Sequence, residues 1–189
     1  TVTVAAGYTE TAPAGGLALN MCSLGSTLVP SATQTITFIS AGAPNPVITA
    51  GVGTTTNLDA IVKLVGVAYV TFNGINLTES AGNTTSTTRA EWGYALLKCD
   101  GNNGSNSNTI INCSVTLNKA NTASVGIYSG NHNETSTSGL SYTGTANDAA
   151  AVDASRNGRN TFYGNSIQNT YVGISLNGNS SLSVNQSLN

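Results

Sequence analysis

The sequence predicts an all-β solenoid, a parallel β-helix, and three observations carry that prediction. A seven-residue pattern occurs three times, a second pattern trails each copy, and the chain is nearly free of charge. The first pattern is Thr71-Phe72-Asn73-Gly74-Ile75-Asn76-Leu77. Thr109-Ile110-Ile111-Asn112-Cys113-Ser114-Val115 and Thr161-Phe162-Tyr163-Gly164-Asn165-Ser166-Ile167 match it without gaps. Thr opens each copy, an apolar residue follows, Gly or Asn stands fourth and an aliphatic residue closes. The trailing pattern is Gly93-Tyr94-Ala95-Leu96-Leu97, then Val125-Gly126-Ile127-Tyr128-Ser129-Gly130-Asn131, then Val172-Gly173-Ile174-Ser175-Leu176-Asn177-Gly178. Charged residues make up 7% of the 189 positions, against ~25% in an ordinary globular chain.

Each part of the repeat has a physical place in such a coil. Stacked coils sit at strand spacing, ~4.8 Å, so every rung points equivalent residues inward. Phe72, Ile110 and Phe162 then form one inward column, and Leu77, Val115 and Ile167 another. Gly or Asn stands where the chain turns sharply, because both tolerate φ > 0. Asn amides can also hydrogen-bond along a stacked ladder. Thr and Ser suit flat outer faces, where a charge repeated on every coil would repel itself. A β-sandwich of short strands would need clean hairpin turns. The one strong hairpin signal, Asn73-Gly74, recurs as a repeat slot, which favours the β-helix.

Along the chain, further strands are expected at 2–5, 35–39, 47–50 and 61–65, with Pro44-Asn45-Pro46 turning between two of them. The intervals between matched threonines differ, so longer loops must leave the coils. The candidates are 79–89, 100–108 and 131–160, and Ala149-Ala150-Ala151 reads as part of the last loop. No linker or second domain is visible: residues 1–189 read as one β-helix segment. Thr1 opens the chain without a charged region and apolar run behind it, as expected of a processed product. Residues 182–189 still alternate like a strand, as expected of a segment cut from a longer protein.

Composition excludes several functions. Six Lys+Arg against eight Asp+Glu cannot build a phosphate-tracking stripe, so nucleic acid is not an expected partner. No apolar run reaches the ~18 residues of a membrane span, so no membrane insertion is expected. An α-bundle is excluded because Asn, Thr, Ser and Gly fill about half the chain. Cys22, Cys99 and Cys113 have no zinc-type spacing. They read as small buried hydrophobes, with a Cys99–Cys113 bridge open to an exported chain.

Four stretches resemble the right-handed β-helix region of large secreted Bacteroidota proteins. They are Val70-Thr71-Phe72-Asn73-Gly74-Ile75-Asn76-Leu77, Glu91-Trp92-Gly93-Tyr94-Ala95-Leu96-Leu97, Leu117-Asn118-Lys119-Ala120-Asn121-Thr122-Ala123 and Gly126-Ile127-Tyr128-Ser129-Gly130-Asn131-His132. The likeness spans roughly residues 40–178. Such proteins often carry a sorting domain for type IX secretion. The resemblance therefore implies a right-handed, pectin-lyase-like solenoid, a longer parent chain and a place outside the cell or on its surface.

Enzymes of that fold usually split acidic polysaccharides. The polygalacturonase-like motifs (Asn-Thr-Asp, a paired Asp-Asp, Gly-His-Gly, Arg-Ile-Lys) do not occur in this chain. A calcium-dependent lyase needs clustered carboxylates for Ca2+ and a basic side chain. Asp148, Asp153, Arg156 and Arg159 are the one dense polar cluster to weigh for that role. Ion pairs tying down a loop explain the cluster more simply. His132, the sole histidine, has Glu134 two residues on, and both read as exposed loop polarity.

Trp92 beside Tyr94 suggests another chemistry, because exposed rings stack on sugar faces. Glu91 and Asp100 would take hydroxyl hydrogen bonds there. The competing account packs Trp92 as a plug over a local core. Thr-x-Thr pairs (Thr1/Thr3, Thr35/Thr37) do not recur at a coil spacing, which argues against an ice-binding face. The expected function is a non-catalytic stalk and display module of an adhesin-like protein, contacting glycan or a cell-surface partner. No cofactor or metal is expected. The alternative is a polysaccharide lyase or glycoside hydrolase module whose catalytic residues lie partly outside this segment.

Overall fold

A computed structural model describes residues 1–22, 30–55, 57–144 and 148–178. The strand-like alternation at 182–189 lies outside the described residues. Three short strands make one coil, and among the described residues five coils follow one another. The first holds β1 (Val2–Val4), β2 (Thr9–Thr11) and β3 (Leu17–Asn20), and the second β4 (Ile36–Ser40), β5 (Val47–Thr49) and β6 (Ala60–Val65). The third holds β7 (Val70–Asn73), β8 (Asn76–Thr78) and β9 (Trp92–Leu97). The fourth holds β10 (Thr109–Ile111), β11 (Ser114–Thr116) and β12 (Val125–Ser129). After a helix, α1 (Ala149–Ala154), the fifth holds β13 (Thr161–Tyr163), β14 (Ser166–Gln168) and β15 (Val172–Leu176).

Equivalent strands pair in parallel into three five-stranded sheets, β1-β4-β7-β10-β13, β2-β5-β8-β11-β14 and β3-β6-β9-β12-β15. This is a right-handed parallel β-helix, its parallel coils expected from the repeats and its right hand from the family resemblance. The register matches the sequence alignment residue for residue. Thr71, Thr109 and Thr161 stand opposite one another, as do Phe72, Ile110 and Phe162. Leu77, Val115 and Ile167 form the second inward column, and Tyr94, Ile127 and Ile174 the third. Phe38 extends the first column one coil further, its ring stacked on Phe72 with centroids 5.0 Å apart. On the outer faces, threonines stack singly rather than as Thr-x-Thr pairs. Thr37 and Thr71 lead one column into Thr109 and Thr161. Thr11, Thr49, Thr78 and Thr116 form another.

The corner between the first two sheets explains the fourth slot of the repeat. Gly74, Asn112 and Gly164 turn there with φ of 70°, 55° and 64°, the left-handed region that suits Gly and Asn. Asparagines also bridge coils, mostly to backbone rather than to each other. Asn165 accepts from the Cys113 N–H (3.0 Å) and donates to the Ile110 carbonyl (2.7 Å). Asn108 accepts from the Val70 N–H (2.9 Å) and donates to the Val67 carbonyl (2.8 Å). Turns leave backbone groups without ladder partners, and one carboxamide supplies both a donor and an acceptor. Asn112 to Asn73 (3.0 Å) is an amide–amide bridge of the expected kind.

Three local expectations are corrected. Ala149-Ala150-Ala151 is not loop but the first turn of α1, capped by the Asp148 carboxylate accepting from the Ala151 N–H. Strands β2 and β3 are additions to the predicted set. The disulfide joins Cys22 to Cys99, with Cα atoms 5.4 Å apart, and not Cys99 to Cys113. Cys113 is a free thiol in the core, as a small hydrophobe would be. Gly66 lies against the bridge on the intervening coil, where an added Cβ would come within 2.7 Å of the Cys99 Cβ.

Candidate functional site

The third sheet has apolar residues on both faces. Its inner face gives Ile61, Leu64, Tyr94, Leu96 and Ile127 to the main core. Ala60, Val65, Trp92, Ala95, Leu97 and Val125 form a second cluster, with Leu58 and Tyr128 packed against it. The Trp92 and Tyr128 rings stack in parallel, centroids 4.1 Å apart, and the His132 ring tilts against both. The segment that follows β12 closes over this face and along the strand ends. The Lys98 N–H donates to the His132 carbonyl at 2.9 Å, and the Asn20 carboxamide, at the end of β3, donates to Glu134.

His132 is therefore buried, contrary to the expectation of exposed loop polarity. Its Nδ1 lies 2.7 Å from the Asn133 carbonyl, which can only accept, so Nδ1 carries a proton. In the neutral ring Nε2 then accepts from the Tyr128 hydroxyl at 2.9 Å. Burial raises the Tyr128 phenol above its usual pKa.

The four residues weighed for sugar binding do not converge. Trp92 is 5% exposed, its face covered by Tyr128. Tyr94 belongs to the opposite, inward face, fully buried against Phe72, and its hydroxyl donates to the Ile75 carbonyl at 2.8 Å. Burial carries its pKa well above the usual phenol value. The pair thus offers no common stacking platform. Glu91 and Asp100 stand at opposite ends of β9. Glu91 is buried and accepts from the Asp59 N–H at 3.1 Å. Burial, with the Asp59 charge adding to it, pushes its carboxyl up to about 7. Asp100 is exposed and accepts from the Asn102 and Asn103 N–H groups at 2.7 and 3.0 Å, closing a turn.

The four residues weighed for catalysis belong to the α1 region and serve it. Asp148 caps the helix, Asp153 pairs with Arg159 at 3.0 Å, and the Arg156 N–H donates to the Asp153 carbonyl at 3.2 Å. Among the described residues no group of three or more His, Cys, Asp or Glu side chains is placed to hold a metal ion.

Three buried charged residues were not foreseen, Asp59, Lys63 within β6, and Lys98. Asp59 accepts from the Thr54 and Thr55 N–H groups, both at 2.7 Å, and from the Thr54 hydroxyl at 2.9 Å, fixing the loop ahead of β6. Lys98 is 2% exposed, at the end of a fully buried strand. Its Nζ donates to Asn131 Oδ1 (3.0 Å) and to the Leu140 carbonyl (3.4 Å). Burial lowers its pKa to about 8, against the opposing pull of the Asp100 charge. A lysine closing the apolar run Trp92-Gly93-Tyr94-Ala95-Leu96-Leu97 was the available sequence signal for a buried amine.

Compared with protein-family models, with curated proteins and with solved structures, the chain matches none. Its chemistry is therefore read from its own residues.

Proposed function

We propose that this chain is a non-catalytic extracellular stalk and display module, part of a longer adhesin-like protein. The observation that carries the reading is the use made of its ionisable side chains. Asp59, Glu91, Asp100 and Asp148 each accept from backbone N–H groups of the coils or loops, and Asp153 is paired with Arg159. Such groups stiffen a solenoid and are already committed when a substrate arrives. The Cys22–Cys99 bridge supports export, because disulfides persist in oxidising compartments. The resemblance to secreted Bacteroidota β-helix proteins supports the same placement and suggests the type IX route. The loops expected at 79–89, 100–108 and 131–160 are the places for contact with glycan or a cell-surface partner.

The test is incubation with polygalacturonate and alginate, with and without Ca2+. The expected result is no unsaturated product and no new reducing ends. Activity abolished by Arg156→Ala or Arg159→Ala would establish the polysaccharide lyase instead, with Ca2+ as its cofactor.

A further inference from the structure

We propose that Lys98 Nζ and Asn131 Cγ join in a side-chain amide, an isopeptide staple between the third and fourth coils. Lys98 follows β9 and Asn131 follows β12, at the same corner of the solenoid. Nζ lies 3.0 Å from Asn131 Oδ1. The carbonyl bond adds ~1.2 Å, so Cγ lies within ~4.2 Å of the amine. Backbone hydrogen bonds clamp residue 131 from both sides: Gly130 N–H to the Leu96 carbonyl (3.0 Å) and Lys98 N–H to the His132 carbonyl (2.9 Å). A third, from the Leu140 N–H to the Asn131 carbonyl (2.8 Å), holds it from the loop. Nucleophile and electrophile are thus held adjacent before reaction, which lowers the entropic cost of their meeting.

The surroundings raise the share of free amine above that of an exposed lysine, the ammonium remaining the main form at neutral pH with a pKa lowered to about 8. Lys98 is enclosed, and among the described residues no carboxylate lies within 4.0 Å of Nζ, since the ion pair found is Arg159–Asp153. An ammonium has three N–H groups and finds two acceptors here, whereas the neutral amine has two and keeps its lone pair. Its lowered pKa agrees. An unpaired buried charge is costly, and amide formation abolishes it.

The step balances without a co-reactant. The Nζ lone pair forms a bond to Cγ, and the Cγ–Nδ2 bond breaks. The proton shed by Nζ is taken up by Nδ2, which leaves as ammonia. The product is a secondary amide that keeps one N–H donor and the Oδ1 acceptor. With the Cys22–Cys99 bridge, which joins the first coil to the third, the amide would give the same corner two covalent ties that together span four coils. The inference stands apart from the stalk reading and survives if that reading fails.

Intact mass spectrometry of the full chain after disulfide reduction tests it, on protein whose circular dichroism shows the β-sheet fold. The expected mass is one ammonia below that of the sequence, and a digest contains one branched species joining residues 98 and 131. Lys98→Arg keeps the charge and donors but cannot form the amide, so it restores the full mass. Asn131→Ala does the same. Full mass in the wild-type protein overturns the proposal. So does a deficit that persists in Lys98→Arg, which would assign the lost ammonia to backbone cyclisation at an Asn-Gly pair such as Asn157-Gly158.

Discussion

Glu91 brings a carboxyl into a wall of the solenoid where it is 1% exposed, and its Oε1 meets no partner among the described residues. Folding raises its pKa from 4.5 to about 7, first through desolvation and then through the Asp59 charge. The protonated form is favoured in the fold, so the contribution to stability is fully present below pH 4.5. It is lost as pH rises through about 7. The shift corresponds to about 3 kcal/mol. Urea unfolding at pH 5 and pH 8 should show that loss in the wild-type protein and a much flatter response in Glu91→Gln. Equal slopes would mean that Glu91 is not the titrating group. At the same scale, the plug account of Trp92 was legible in the sequence, and the opposite facing of Tyr94 was not, for a definable reason. Residues two apart in a strand share a face, and that rule made the rings neighbours. Gly93 breaks the period: its missing Cβ points at the Val115 side chain, 2.4 Å away, so the inward direction is already taken at 93. Tyr94 continues inward and Trp92 falls on the other face.

At the level of strands and coils, the repeat was legible because each coil must bury the same slot. The three matched segments pair in the register their alignment implied. What escaped were elements lacking that slot. In β2 the inward position is Glu10, opposite Ile48, where later coils carry Leu77, Val115 and Ile167. All three residues of β2 are exposed, so an acidic residue is tolerated there, and the strand loses its apolar signature. Helix α1 escaped because six residues are too few to show a helical period. Ile110 is where the legible part is most testable. It is completely buried between Phe72 and Phe162, so truncation leaves a cavity that two neighbouring coils cannot both fill. Ile110→Ala should cost about 2–5 kcal/mol in chemical denaturation. Ile110→Asp should cost more, because it buries a charge without a partner. A loss below about 0.5 kcal/mol, the usual range for a surface change, would place Ile110 outside the core column.

Across the whole molecule, a solenoid has a weakness that its coils do not reveal singly: each coil touches mainly its neighbours, so unfolding can begin at an end and spread. The first described coil carries exposed Val2 and Tyr8 and a half-buried third strand. The Cys22–Cys99 bridge acts on that weakness by tying the exit of the first coil to the exit of the third, across 77 residues of sequence. Closing a loop of that length removes about 4–5 kcal/mol of chain entropy from the unfolded state. Reduction should therefore lower the urea midpoint substantially, and amide exchange should rise first in β1, β2 and β3, with β9 and β12 protected until global unfolding. Cys22→Ser should reproduce the reduced protein without reductant, whereas Cys113→Ala, which leaves the bridge intact, should remain sensitive to reductant. Identical midpoints with and without reductant would show that the bridge does not restrain the unfolded chain. Uniform loss of protection across all five coils would show that the molecule unfolds as one unit rather than from its first coil inward.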